Sequence, residues 1–348
     1  MSSRHAKHAV ATLLASAGLA IALGAPIASA QDKTFDLKLS HWVPPTHPLQ
    51  KAMEEWSASV EKASNGTIKS KVYPSQQLGK AFDHYDMARD GIADFTYINP
   101  GYQPGRFPII SAGELPFLVS ESHGGIRAID SWYRKYAPTE MKDTKLCFSF
   151  ILDPLRWHSR TKKITVPGDI KGMKVRPSHA TMAAWVTLLG GTNVQASATE
   201  VRDVLEKGVA DAVGFPWGSV PLLGVDKVTK YHLELPVATT TFQWLMNPKV
   251  YAAMSPAQKK VIDDHCTNDW AAKFAGPWAD FEAAGINKLK AMPDHEVYTA
   301  TPAQVAEWKQ SAEPLHKTWA DGVRKAGADP DTVMKELKAA LEQNKAGY

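Results

Sequence analysis

The chain has 348 residues, 44% of them hydrophobic and 22% charged, with a formal net charge of +4. That charge is too small, and Lys and Arg too dispersed, for a surface that coats nucleic acid; the length exceeds one ordinary domain and suggests two lobes. Beyond the first thirty residues no stretch reaches membrane-spanning length without a charge, so the processed chain reads as soluble; it is expected to be a monomer.

Residues 1–30 carry Arg4 and Lys7, an apolar run from Val10 to Ile27, and a terminal Ala28-Ser29-Ala30. Basic, apolar and small-x-small in that order read as a cleaved secretory signal peptide, which places the protein in the periplasm. The run is rich in Ala and Gly and broken by Pro26, a poor membrane anchor. No Cys follows it to take a lipid. Cleavage removes two basic residues and brings the net charge closer to zero.

Phe35–Ser40 alternates with period two and predicts a strand. Pro48–Ala63 predicts a helix with Leu49, Met53, Trp56 and Val60 on one face. Asn65-Gly66 ends it, and Ile68–Tyr73 reads as a second strand. A helix over about Ala81–Asp90, closed by Gly91, and a strand over Ala93–Ile98 complete a β-α-β-α-β run, which implies a parallel sheet with right-handed crossovers. A helix near Gly124–Tyr136 leads to a strand at Leu146–Leu152. Arg156–Thr161 and Met173–Arg176 read as strands of a second lobe. Thr181–Leu189 predicts a helix, and Thr199–Lys207 a short one with Thr199 as its N-cap. Asp211–Phe215 reads as another strand. From about Ser255 to Leu289 the pattern is one long helix that Gly276-Pro277 should kink. Two amphipathic helices fill about 302–344.

The expected architecture is α/β: two mixed sheets flanked by helices, with the long kinked helix spanning both lobes. Residues 31–152 plus about 240–280 form the first lobe. Residues 153–239 plus about 281–330 form the second, and about 331–348 a C-terminal helix. Cys147 falls in a strand and Cys266 in a helix. Far apart in sequence, they read as two buried thiols, although the compartment would permit a bridge. No His or Cys spacing suggests a metal, and no cofactor motif is present. The chain has no G-x-S-x-G elbow, no H-E-x-x-H, no phosphate-binding G-x-x-x-x-G-K-[ST] and no G-x-G-x-x-G after a strand. These absences lower the prior for an enzyme without removing it.

Six segments in order carry a resemblance that spans nearly the whole processed chain. They are Pro74-Ser75-Gln76-Gln77-Leu78-Gly79, Gly91-Ile92-Ala93-Asp94, and Pro104-Gly105-Arg106-Phe107-Pro108 with Glu114-Leu115-Pro116-Phe117. Then come Asp169-Ile170-Lys171-Gly172-Met173-Lys174-Val175-Arg176, Glu200-Val201-Arg202-Asp203-Val204-Leu205, and Gly208-Val209-Ala210-Asp211. Together they resemble the solute-binding proteins of tripartite ATP-independent periplasmic (TRAP) transporters. The resemblance implies a two-lobed periplasmic binding protein fold of type II-like form. It also implies a small organic carboxylate as ligand, and small and large membrane subunits as partners.

It further implies that Arg176 anchors the ligand carboxylate. The chemistry agrees, because a planar guanidinium offers a two-pronged donor and a buried one needs an anion. Arg156 matches a second position that often contributes an Arg near the ligand. Trp42, Asn99 and Tyr102 fall at carboxyl ends of strands, where open α/β sheets bind ligands. Phe215 and Trp217 stand where relatives that bind sugar acids carry Asn, and offer flat apolar faces instead. His179 and Trp244 are assigned to the same wall, though each aromatic is equally at home in plain core packing. The expected ligand is an aromatic monocarboxylate of the benzoate, phenylacetate or benzoylformate kind. The alternatives are a C4-dicarboxylate or small 2-oxo acid, a periplasmic enzyme on the same acids, or the binding protein of an ATP-driven importer.

Overall fold

The computed structural model describes residues 33–348, so the expected signal peptide lies outside the described residues. The chain runs β1 (Phe35–Ser40), α1 (Pro48–Ala63), β2 (Ile68–Tyr73), α2 (His84–Asp90), β3 (Phe95–Ile98), α3 (Ser122–Tyr133), α4 (Ala137–Glu140) and β4 (Lys145–Ile151). It continues β5 (Arg156–Ser159), β6 (Lys174–Arg176), α5 (Ala180–Leu188), β7 (Thr192–Asn193), α6 (Val201–Glu206), β8 (Ala212–Phe215), α7 (Ser219–Leu222) and β9 (Tyr231–Leu233). Then follow β10 (Thr241–Met246), α8 (Pro248–Ala252), α9 (Pro256–Asp264), α10 (Asn268–Lys290), β11 (Glu296–Tyr298), α11 (Pro302–Lys325) and α12 (Pro330–Gln343). Among the described residues no helix is long and apolar enough to cross a membrane.

Two mixed sheets result, as expected. The first has the order β2-β1-β3-β10-β4, the second β11-β9-β5-β8-β6-β7. In the first, β1, β2 and β3 are parallel, the product of two crossovers, whereas β10 enters antiparallel between β3 and β4. The chain crosses between the sheets after β4, after β9 and a third time after β10. Helix α10 packs against α1, α3 and β4 of the first lobe and against α7 and β11 of the second.

Local chemistry sets the elements that frame the site. The His47 ring caps α1, Pro48 opens it, and Leu49, Met53, Trp56 and Val60 form its buried stripe. Gly91 closes α2 at φ 77°, a left-handed geometry that Gly adopts without a Cβ clash.

Three expectations are corrected. The helix expected over Ser255–Leu289 is two, because His265–Thr267 break it and Thr267 caps a fresh start at the Trp270 N–H. Within α10 the chain passes through Pro277 in continuous helix. Thr199 does not cap the helix near 200. Ser197 and Glu200 form a capping box instead, and a single 3₁₀ turn precedes α6. Finally, Cys147 and Cys266 are not two thiols but one disulfide, between β4 and the turn that separates α9 from α10. The helix break is the physical reason: it carries Cys266 out of a helix and up to the sheet edge.

Candidate functional site

Between the lobes lies a cavity of about 520 Å³, counting the space at its mouth. The first lobe contributes Trp42, Tyr97, Asn99 and Tyr102 from the carboxyl ends of β1 and β3, with Phe242 from β10. The second contributes Arg176 and Ser178 beyond β6, and Phe215 at the end of β8. Trp278 of α10 supplies one wall.

Arg176 is 1% exposed. Its Nε donates to the Ala196 carbonyl at 2.9 Å, Nη1 to Ser178 Oγ at 3.2 Å and Nη2 to the Tyr102 hydroxyl at 3.0 Å. A guanidinium has five N–H groups. Three are used by neutral oxygens, and one remains on each Nη nitrogen. No Asp or Glu among the described residues pairs with Arg176, whereas the other seven arginines beyond the first thirty residues that form ion pairs do so with a neighbouring acid. A buried cation without a counter-charge is costly. Its ring neighbour, Phe215, lies with the guanidinium carbon 5.6 Å from its centroid and offsets part of that cost.

The Tyr102 hydroxyl accepts twice, from Arg176 and from the Ala198 N–H at 2.9 Å. Both lone pairs are then occupied and its own hydrogen is left to give. Asn99 fastens the lobes: its Nδ2 donates to the Ser178 carbonyl at 3.1 Å while Oδ1 accepts from the Gly101 N–H. Aromatic rings continue the wall without a gap. Trp42 touches Tyr102 and Tyr97 at centroid separations of 5.7 and 4.2 Å, and Tyr97 meets Phe242 at 5.1 Å and Trp278 at 5.8 Å.

The structure thus brings together five of the expected residues, Arg176, Trp42, Asn99, Tyr102 and Phe215. The other four lie off the cavity lining. Arg156 is held by the Asp153 carboxylate and the Pro154 carbonyl, its guanidinium over the Trp217 ring. Burial lowers the pKa of Arg156 and raises that of Asp153, while the charge of each partner works against that burial and favours the ion pair. Trp217 turns away from the cavity onto His158, 5.2 Å between centroids. Trp244 is fully buried among Trp56, Phe95 and Phe274 in the first core.

His179 caps α5, accepting from the Met182 N–H at 3.2 Å, and its Nδ1 lies 3.3 Å from Glu114 Oε2. Burial, with Arg176 adding repulsion, depresses His179 to about 3, and burial lifts Glu114 to about 8. This neutral pair buttresses the back of the site. Glu114 accepts from Thr181 on α5 and from Thr241 on β10. Gly101 permits the close approach, since a Cβ there would sit 2.3 Å from the His179 Cβ.

Sequence reasoning missed Tyr97, Phe242, Trp278 and His47 on the lining. Tyr97 was within reach, because period two along β3 sets it on the same face as Asn99. Trp278 sits in a helix whose pattern carries no mark of a ligand.

Residues 39–322 match the family described as bacterial extracellular solute-binding protein, family 7 (DctP). A TRAP solute-binding protein from Rhodoferax ferrireducens, solved with copurified benzoate, superposes with a TM-score of 0.84 at 28% identity over 90% of this chain and 99% of that one. A marine metagenome TRAP solute-binding protein specific for aromatic acid ligands, in complex with metahydroxyphenylacetate, gives 0.83 at 30% identity over 89% and 99%. One from Bordetella bronchiseptica with bound (R)- and (S)-mandelate gives 0.82 at 25% identity over 88% and 99%. The chain belongs to the DctP family and is a TRAP-transporter solute-binding protein.

Proposed function

We propose that the protein captures an aromatic monocarboxylate between its lobes and presents it to the membrane subunits of its transporter. Members of this family are periplasmic, bind small carboxylates and work with such subunits. The observation that carries the reading is Arg176: a buried guanidinium with a free N–H on each Nη nitrogen and no acidic partner among the described residues, on a cavity walled by aromatic rings. A carboxylate satisfies both groups and supplies the missing charge. The rings of Trp42, Tyr97, Phe215 and Phe242 then bury an apolar body, each ring contact adding about 0.5–1.5 kcal/mol beyond the area removed from water.

Supporting this, the three similar structures described above hold benzoate, metahydroxyphenylacetate and mandelate, all aromatic acids. A dicarboxylate fits less well. Its second anionic group would need Arg156, which Asp153 already neutralises, and Asp153 itself lines the cavity. Calorimetric titration with benzoate, phenylacetate, mandelate, succinate and pyruvate tests the reading. Binding confined to the aromatic acids supports it; binding of succinate or pyruvate alone would overturn it.

A further inference from the structure

The cavity has a second polar end that Arg176 does not serve. His47 is on the lining, its ring edge-on to Trp278 with centroids 4.5 Å apart. Its Nδ1 accepts the Leu49 N–H at 3.1 Å. Burial, with the neighbouring His41 adding to it, depresses the imidazole to about 3. A neutral imidazole carries one proton. Since Nδ1 accepts, that proton sits on Nε2, and the Nε2–H meets no acceptor among the described residues.

Tyr97, also on the lining, packs on the same Trp278 with ring centroids 5.8 Å apart. Its hydroxyl also finds no partner among the described residues, and burial keeps it protonated. Neither donor hydrogen-bonds Arg176, and both rings pack on the same Trp278, so they form a polar pair on the lining apart from the three contacts of the carboxylate anchor.

Charge narrows what they hold. Both donors are neutral, and Asp153 faces the same cavity, so an anionic group here would be desolvated without a counter-ion. A hydroxyl matches: it accepts from His47 and exchanges a hydrogen bond with Tyr97. We propose that His47 and Tyr97 form a second, hydroxyl-binding subsite and that the ligand is a ring-hydroxylated aromatic monocarboxylate. The proposal rests on the aromatic-monocarboxylate reading above.

Calorimetry with phenylacetate, 3-hydroxyphenylacetate, 4-hydroxyphenylacetate and mandelate tests it on wild type, His47→Asn and Tyr97→Phe. Asn retains a side-chain acceptor for the first turn of α1, and Phe retains the ring. Wild type is expected to bind one ring-hydroxylated isomer about tenfold more tightly than phenylacetate, and that preference should shrink to about threefold or less in each variant. Equal binding of all three phenylacetates overturns the proposal, as does a preference that survives His47→Asn. A gain confined to mandelate also overturns it, since that hydroxyl lies next to the carboxylate. If wild type binds none of the four, the aromatic reading itself fails.

Discussion

Replacing Arg176 by Met tests the proposed anchor, because Met approximates the length of the side chain and removes only its head group. The two free N–H groups, one on each Nη nitrogen, follow from the three occupied ones. Hydrogen bonds that involve a charged group contribute about 1.5–3 kcal/mol each, so a carboxylate on both loses about 3–6 kcal/mol. Burial-dependent losses for severed charge pairs of about 2–5 kcal/mol bracket the same range. The dissociation constant for benzoate should therefore rise by roughly 10²–10⁴-fold. Stability should move far less. Met relieves a buried cation of 1% exposure that has no acidic partner, which favours the folded state. It also strips a donor from Ala196, Ser178 and Tyr102, which opposes it. Calorimetry reads the affinity and thermal denaturation the fold. A variant that binds within tenfold of wild type while melting normally would refute the assignment of Arg176 as anchor.

Three further outcomes are expected. Severing the Cys147–Cys266 bridge, with reductant or by Cys147→Ser with Cys266→Ser, frees a span of 119 residues and should cost about 2–5 kcal/mol; an unchanged melting temperature would show that the bridge constrains nothing. Acidification from pH 6.5 to 4.5 should destabilise the fold by at least about 2 kcal/mol. His41, His47, His84, His158, His179 and His232 are depressed to between about 2 and about 4 by burial, so over this window the unfolded imidazoles take up protons that the folded ones refuse. Glu114 and Glu282, raised to about 8 and about 7, hold protons in the folded state and act the other way, but they are fewer. A urea midpoint that does not fall between pH 6.5 and 4.5 contradicts this account. Lastly, Gly285→Ala would set a Cβ 2.3 Å from the Gly218 nitrogen and 2.4 Å from the Trp217 carbonyl carbon, parting α10 from the loop before α7. Overpacking of that kind costs about 1–3 kcal/mol; because Ser219 and Trp278 line the cavity on either side, calorimetry should show weaker binding too, and wild-type values for both would remove α10 as a support of the site.

Where the sequence was legible, local chemistry and tertiary environment agreed. Pro48–Ala63 and Ile68–Tyr73 fall where expected to the residue, because each has one buried face, a helical stripe in the first and a half-buried strand in the second. Strand β10 was invisible for the opposite reason. All six residues of Thr-Phe-Gln-Trp-Leu-Met are buried, so no alternation marks them, and a strand inserted antiparallel between β3 and β4 leaves no crossover signature. The disulfide was misjudged because it depends on a helix break at His265–Thr267 that no Gly or Pro announces.

The candidate site divides along the same line. Arg176 and Phe215 end strands whose pattern was readable, and both are on the cavity. Trp244 shows how a correct face can still carry a misplaced residue. It shares a face of β10 with Phe242, but lies two residues farther along, a displacement of about 7 Å. That step is enough to move an indole from the ligand cavity into the packing of Trp56 and Phe274. Trp217 errs in the other direction, two residues past Phe215 and beyond the strand, where the chain turns so that its ring backs Arg156 instead of the cavity. Arg156 follows from this. With Asp153 three residues before it on the same short connection, its charge is spent locally, and of the two arginines expected at the site Arg176 is the one without an acidic partner among the described residues. A single unspent cation among aromatic walls is the physical basis for expecting one carboxylate and no second charge on the ligand.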